Sequence, residues 1–275
     1  MATATCYRHT NRTTGASCTR CGRPICPDCM IEAPVGHHCP TCVQEARGDM
    51  RRVQRVRPSA PGAIRAGLVV SALIAVNVVV FVLDVGDPDI TRRYADNALL
   101  VANRDEYYRM ITAAFLHAGL LHLGFNMFGL YLFGSQLEQS VGPPRFLVLF
   151  LLSAVGGAAC SHFFGPPYEF SVGASGAVFG VLGAYAVIAK LRGLDVSQVG
   201  GLILLNLFIG AVIPQIDNAA HVGGLLTGAA LGGAFEWARR QSRANAVALQ
   251  VAAVATVAVV IAVATMVRVD QLRVT

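Results

Sequence analysis

A serine and a histidine, far apart in the chain, each stand at the head of a run of small residues. Ser175 opens an apolar segment with a small residue at every fourth position, and His221 lies beside the start of a second such run. The first run is Gly176, Gly180 and Ala184, and the second is Ala220, Gly224, Gly228 and Gly232. Residues four apart share a helical face, and small ones let two helices in lipid approach almost backbone to backbone. If these faces pack together, the Ser175 hydroxyl comes within hydrogen-bonding reach of the His221 imidazole, and a serine beside a base is the minimal activated nucleophile.

Both residues also have a purely structural interpretation. Small-residue stripes are common in membrane bundles, and a serine in a membrane helix often bonds its own backbone. A histidine inside a membrane segment is costly, however, and is a functional hypothesis by default. Because both residues stand at the heads of such stripes, we favour catalysis over packing alone.

Three ordered motifs resemble those of the rhomboid intramembrane serine proteases, over roughly Ala66 to Trp237. They are Gly173-Ala174-Ser175-Gly176 with Gly180 and Gly183, Ala220-His221-Val222-Gly223-Gly224, and His117-x4-His122-x3-Asn126. The resemblance implies a Ser175–His221 dyad that needs no cofactor for catalysis. It implies that His122 and Asn126, with the backbone N–H of Ser175, hold the oxyanion. It also implies that His117 mainly holds the outer loop and that Glu138 is a structural carboxylate.

Asp217 leaves an alternative open, because it lies one helical turn before His221. It could complete a triad with Ser175 and His221, or it could cap the helix that carries the histidine. The resemblance favours the dyad and the cap.

Seven of the eight cysteines lie in the first 45 residues. With one histidine they form four pairs, each separated by two residues: Cys6 and His9, Cys18 and Cys21, Cys26 and Cys29, Cys39 and Cys42. Two ligands at this spacing reach one tetrahedral ion from a tight turn, so eight ligands fit two zinc ions. A disulfide scaffold is the competing interpretation, but a domain that faces the cytosol would be kept reduced.

The interleaved order of these pairs resembles B-box and other cross-braced zinc fingers. That resemblance implies that Cys6, His9, Cys26 and Cys29 hold one ion and that Cys18, Cys21, Cys39 and Cys42 hold the other. His37 and His38 are spare and could replace a cysteine ligand. In so small a domain the metal would be structural and would supply much of the folding energy. The domain could also bind a protein partner.

The chain of 275 residues is 54% hydrophobic and only 14% charged, which is typical of a polytopic membrane protein. Its net charge of +6 comes from a basic segment and short loops, so no nucleic-acid partner is expected. We predict an all-α fold with a long outer segment from Asp84 to Leu116. The predicted spans are Ala66–Leu83, Leu120–Leu137, Phe146–Phe163, Gly173–Ala189, Gly200–Ile213, Ala219–Trp237 and Ala246–Val267.

The distribution of basic residues predicts the orientation in the bilayer. A linker rich in arginine precedes the first span, and the connections predicted to face inside carry further lysine and arginine. The linker arginines are Arg51, Arg52, Arg55, Arg57 and Arg65. The positive-inside rule then places the N-terminus in the cytoplasm and both Ser175 and His221 just below the outer surface. We expect a multi-pass protein of the plasma membrane.

The predicted organisation has four parts. Residues 1–45 form the zinc-binding domain, 46–65 the linker, 66–237 the six-helix rhomboid core, and 238–275 an additional transmembrane helix with a tail. The resemblance implies an intramembrane serine endopeptidase that cleaves transmembrane proteins near the outer face of the bilayer. The competing class is a catalytically silent rhomboid-like scaffold that binds client membrane proteins. It is disfavoured because such relatives typically lack the serine or the histidine.

Overall fold

A computed structural model describes residues 4–33, 35–45, 67–87, 89–213 and 215–274. The chain divides near residue 63 into two compact units. The predicted linker, with its arginines, lies outside the described residues, as does Ala66 at the start of the first predicted span.

The N-terminal unit consists of two short hairpins joined by turns. Strand β1 (Ala4–Thr5) pairs with β2 (Thr13–Thr14), and β3 (Ile31–Glu32) pairs with β4 (His37–His38), both antiparallel. A 3-10 turn at Pro27–Cys29 and helical residues 40–45 complete the unit. Its core consists of thiols and Ile25 instead of a full set of apolar side chains. So small an apolar core makes a structural metal the expected source of stability.

The regular elements described in the second unit are all helices, as the sequence predicts. Helix α1 (Leu68–Gly86) is followed by the outer segment, which forms α2 (Asp89–Tyr94), α3 (Ala98–Arg104), α4 (Arg109–Thr112) and a 3-10 turn at Ala113–Phe115. The remaining helices are α5 (Leu120–Val141, with a π-helical stretch at Leu130–Gly134), α6 (Pro143–Phe164), α7 (Ser175–Leu191), α8 (Ser197–Val212), α9 (Asn218–Ala238) and α10 (Arg243–Val274).

A helix is present at each of the seven predicted spans. Among the described residues, three helices are long and apolar enough to cross a bilayer alone, namely α1, α6 and α10. A fourth span results if the bent pair Arg109–Phe115 and Leu120–Val141, which meet at 96°, is counted as one. Helices α7 and α8 have only 17 and 16 residues, and α9 is rich in glycine. Length and hydropathy therefore do not by themselves identify α7, α8 and α9 as membrane-spanning helices. That these three helices cross the bilayer stays a prediction.

The predicted packing of the two small-residue stripes is confirmed. A Cβ added at Gly224 would collide with the carbonyl oxygen of Gly176, and one at Gly228 with that of Gly180. A Cβ at Gly232 would lie 2.7 Å from the Cα of Ala184. Helices α7 and α9 therefore touch along their backbones for three successive turns, which is possible only where the contacting side chains are absent or very small.

Helix α6 closes this contact from the third side. A Cβ at Gly157 would lie 2.8 Å from the carbonyl oxygen of Ala220 and 3.5 Å from the Cα of Gly176. Three helices thus meet at small residues beside Ser175 and His221. The ends of α7 and α9 that carry these two side chains consequently have little room to shift relative to each other.

Polar anchors hold the ends of the bundle. The Glu138 carboxylate accepts hydrogen bonds from the backbone N–H groups of Val69 (3.1 Å) and Val70 (2.9 Å), at the start of α1. Arg109, which is buried, donates to the carbonyl oxygens of Arg92 and Ala95 in the outer segment. Glu138 therefore has the structural position that the resemblance implied, and Arg109 holds the outer segment together.

Candidate functional site

Ser175 is the first residue of α7, directly after a backbone turn that requires glycine. Gly173 has φ +127°, a conformation that L side chains rarely adopt, and its N–H donates to the carbonyl oxygen of Ala113 at 2.9 Å. A Cβ at Gly173 would also lie 2.6 Å from Cε1 of His122. The first N–H groups of a helix have no intrahelical acceptor, so the backbone at Ser175 is free to donate to an anion.

His221 occupies the first turn of α9 and is buried, with 7% of its surface exposed. Its ring stacks on Phe179, with ring centroids 4.2 Å apart and planes within 10° of parallel. Because Phe179 follows Ser175 by one helical turn on α7, this contact holds the imidazole against the serine-bearing end of that helix. No hydrogen bond joins Ser175 to His221, and the buried Nδ1 of His221 has no partner within the described part of the chain. Catalytic hydrogen bonds are often long in a protein without substrate, so the lack of a hydrogen bond between Ser175 and His221 is compatible with a dyad.

His122 presents a donor to the same space. Its Nδ1 accepts the backbone N–H of Ala118 at 3.4 Å, which assigns the proton of a neutral ring to Nε2. A Cβ added at Gly173 would lie 2.7 Å from this Nε2 and 3.7 Å from the Ser175 Oγ. An Nε2–H and the serine hydroxyl therefore border one small region, where an oxyanion formed on attack by Ser175 would need donors.

The other two residues of the third motif have different surroundings. Asn126 lies one turn deeper on the same face of α5, and its Nδ2 donates to the His122 carbonyl oxygen at 3.0 Å, leaving its second N–H for another acceptor. His117 packs edge-on against His122, with ring centroids 5.1 Å apart. Both nitrogens of His117 are buried without a hydrogen-bond partner among the described residues. His117 thus contacts the oxyanion candidate by packing.

Asp217 caps α9, as one of the two sequence interpretations predicted. Its Oδ1 accepts the Ala220 N–H at 2.9 Å, and its Oδ2 accepts the hydroxyls of Ser161 at 2.6 Å and Ser171 at 2.8 Å. The carboxylate therefore joins α6, the loop before α7 and the start of α9. Since both oxygens are engaged elsewhere, the geometry favours a cap over the third member of a triad.

A buried pair that sequence reasoning missed lies behind this loop. Asp96 exchanges both backbone hydrogen bonds with Ser171, and its Oδ2 lies 2.8 Å from Nε2 of His162 on α6. Its Oδ1 is buried without a partner among the described residues. A cavity of about 30 Å³, enough for one water molecule, is bordered by Asp96, Ser171 and Ser175. The only signal in the sequence was His162, an ionisable residue inside an apolar predicted span, because Asp96 stands beside polar and charged residues in the outer segment.

The N-terminal unit brings together the eight predicted ligands in the predicted groups. Cys6, His9, Cys26 and Cys29 form one group and Cys18, Cys21, Cys39 and Cys42 the other, with the ligand atoms of each group within 4.8 Å of one another. His37 and His38 lie in β4 and belong to neither group. The backbone N–H and the guanidinium of Arg23 lower the pKa of Cys21 to about 6, which favours the thiolate form that binds metals. Three or four thiols with at most one imidazole fit tetrahedral zinc.

Comparison with known proteins agrees with this architecture. The Rhomboid domain family matches residues 104–238, a segment that includes Ser175, His221, His122 and Asn126. The chain is 42% identical to "RHOMBOID-like protein 6, mitochondrial" of Arabidopsis thaliana, over 48% of this chain and 45% of that protein. It is 38% identical to "Rhomboid protease GluP" of Bacillus subtilis, over 48% of this chain and 26% of that protein. It is 32% identical to "Inactive rhomboid protein 1" of Papio anubis, over 48% of this chain and 16% of that protein.

The fold and the site together define a polytopic helical membrane protein that brings a serine and a histidine to one end of its bundle. Residues 104–238 form a rhomboid domain. The chain spans less than half the length of the relatives named above.

Proposed function

We propose that this protein is an intramembrane serine endopeptidase that cleaves transmembrane proteins near the outer face of the membrane. The observation that carries the proposal is the backbone contact between α7 and α9, which places Ser175 and the His221 ring at the same end of the bundle. The free N–H groups at the start of α7 and the Nε2–H of His122 support it, because acyl transfer needs donors for the oxyanion.

In this mechanism the Ser175 Oγ attacks the scissile carbonyl carbon while His221 takes the hydroxyl proton. The tetrahedral oxyanion accepts hydrogen bonds from the Ser175 backbone N–H and from Nε2 of His122, with the second N–H of Asn126 as a further donor. His221 then returns the proton to the leaving amine, and water hydrolyses the acyl-enzyme with His221 as the base. The water-sized cavity beside Ser175 is suited to hold that water next to the ester.

The second candidate function is a catalytically silent scaffold that binds client membrane proteins, because one relative is described as inactive. The presence of both Ser175 and His221, brought to one place, favours the protease. On the basis of its basic linker and inner connections, we also propose that the N-terminus lies in the cytoplasm. We further propose that the protein resides in the plasma membrane.

The nucleophile can be tested with a fluorophosphonate probe on the full-length protein in membranes. The wild type should be labelled, and Ser175→Ala should lose both labelling and cleavage of a model transmembrane substrate by several orders of magnitude. Ser197→Ala is the matched control, since Ser197 also begins a helix but bonds Asp195 in a loop and should leave both readouts unchanged. Cleavage by a folded Ser175→Ala protein at the wild-type rate would refute the proposal.

The oxyanion donors and the triad alternative can be separated by two variants. His122→Ala should lower turnover by about 10²-fold, as for the loss of one oxyanion donor. Asp217→Asn keeps an acceptor for the helix cap and should lower turnover by less than about tenfold. A drop near 10⁴-fold in a stably folded Asp217→Asn protein, as for loss of a triad carboxylate, would favour a triad. Initial rates and thermal unfolding of both variants in the same detergent make the comparison.

We further propose that the N-terminal unit holds two structural zinc ions and acts as a regulatory or docking module. Metal analysis of the purified full-length protein should find about two zinc ions per chain, because eight ligands make two closed tetrahedral sites. Cys18→Ser should lose zinc, whereas His38→Ala, outside both groups, should retain it. Chelation should leave cleavage of a generic substrate intact; loss of cleavage without unfolding would contradict a purely structural metal.

A further inference from the structure

A second cavity lies at the end of the helical bundle farthest from Ser175. Its volume is about 340 Å³, within the range of small-molecule sites. The end of α5, the start of α6, the ends of α7 and α9 and the start of α10 form its walls. The charged and polar side chains that matter here are Ser140, Arg145, Arg192, Glu236, Arg239 and Gln250.

Arginine dominates the charge of this cavity, with three guanidinium groups against a single carboxylate. Glu236 has only 1% of its side chain exposed and is bound by Arg192 (Nη2 to Oε2, 2.7 Å) and by Arg239 (Nη2 to Oε1, 2.7 Å). Each guanidinium uses Nε and Nη2 on this carboxylate and has further N–H donors. The buried negative charge is therefore fully compensated, and the site retains a net positive charge.

The third arginine has no acidic partner in the cavity. Arg145 donates from Nε to the Gln250 side-chain oxygen at 2.7 Å and from Nη1 to the Val141 carbonyl oxygen at 3.1 Å. The Ser140 hydroxyl also borders the cavity, and its oxygen is buried without a hydrogen-bond partner among the described residues. Helix α6 begins beside Arg145, so its N-terminal dipole adds to the positive potential. Unpaired cationic and hydroxyl donors of this kind fit a phosphate.

The surroundings of the cavity indicate that the phosphate belongs to a lipid headgroup. On α10, Val247 and Val251 adjoin the cavity-lining residues Ala246 and Gln250, and they are 54% and 63% exposed. In a helix apolar enough to span a bilayer, such side chains face lipid chains. Basic pockets between membrane helices are typical binding sites for anionic lipid headgroups.

We propose that this cavity binds the phosphate of an anionic phospholipid, whose acyl chains lie along the exposed face of α10. Arg145, Arg192 and Arg239 contact the phosphate, and Gln250 orients Arg145. The ligand thereby joins α6, α7 and α9 to α10. The site is separate from Ser175 and His221, and its occupancy does not depend on the proposed protease activity.

Binding of phosphatidylglycerol to the full-length protein in a neutral detergent, measured by native mass spectrometry, tests this site. Arg145→Gln should weaken binding about fivefold, because one arginine near a membrane surface contributes that much to the affinity for an anionic lipid. Arg145 has no acidic partner in the cavity, so its replacement leaves no buried charge unpaired. Arg240→Gln is the matched control: Arg240 adjoins Arg239 but bonds the Leu191 carbonyl oxygen and does not line the cavity, so the loss should stay under about twofold. Arg145→Lys should keep part of the affinity, and thermal unfolding of each variant establishes that it is folded.

Three outcomes would overturn the proposal. Equal weakening of phosphatidylglycerol binding by Arg145→Gln and Arg240→Gln would show that the lipid binds through the overall positive charge of this end of the bundle and not in the cavity. Phosphatidylcholine binding as tightly as phosphatidylglycerol would show that the cavity does not select an anionic headgroup. Inorganic phosphate binding as tightly as the lipid would assign the cavity to a free phosphate compound.

Discussion

The direct backbone contact between α7 and α9 is the constraint on which the rest of the helical unit depends. In lipid there is no hydrophobic driving force between helices, so close van der Waals packing must supply the association. Gly224 and Gly228 allow this packing because each faces a carbonyl oxygen of α7 where a Cβ does not fit. The same contact fixes the separation between the ends of the two helices. The positions of Ser175 and His221 are therefore set by residues that take no part in any chemistry.

Polar groups secure that end of the bundle where the helices meet the outer segment. Asp217 links α6, the loop before α7 and α9 through three hydrogen bonds, and Asp96 holds the same loop through its backbone exchange with Ser171. Helix α10 reaches this region as well, because Arg268 donates to the His162 carbonyl oxygen and Arg273 bonds Asp105. The additional C-terminal helix is thus tied to the proposed active-site end by hydrogen bonds.

Features that depend on local periodicity could be predicted from the sequence. The two stripes predicted which faces of α7 and α9 meet, and the resemblance to cross-braced zinc fingers predicted how the cysteines group. The Asp96–His162 pair, the two serines on Asp217 and the stacking of Phe179 on His221 could not be predicted. Each joins residues more than forty positions apart through loops whose conformation no short-range pattern specifies.

The same limit applies to the cavity at the opposite end. Each of its arginines could be read from the sequence as an inner-facing charge, but the convergence of Arg192 and Arg239 on Glu236 requires the packed ends of α7 and α9. In the sequence Glu236 is an acidic residue in a glycine-rich span. Only the three-dimensional arrangement shows that two arginines form salt bridges with its carboxylate.

The central claim, that backbone contact between α7 and α9 aligns Ser175 with His221, is tested most directly by the fluorophosphonate labelling rate of Gly224→Ala. A single methyl group there meets the Gly176 carbonyl, and a displacement of ~1 Å is enough to lower the reactivity of Ser175 on the order of 10²-fold. Gly233→Ala, on the same helix, adds a methyl at an ordinary 3.4 Å contact with Val187 and should label at the wild-type rate. An unchanged labelling rate in a folded Gly224→Ala protein would contradict the account.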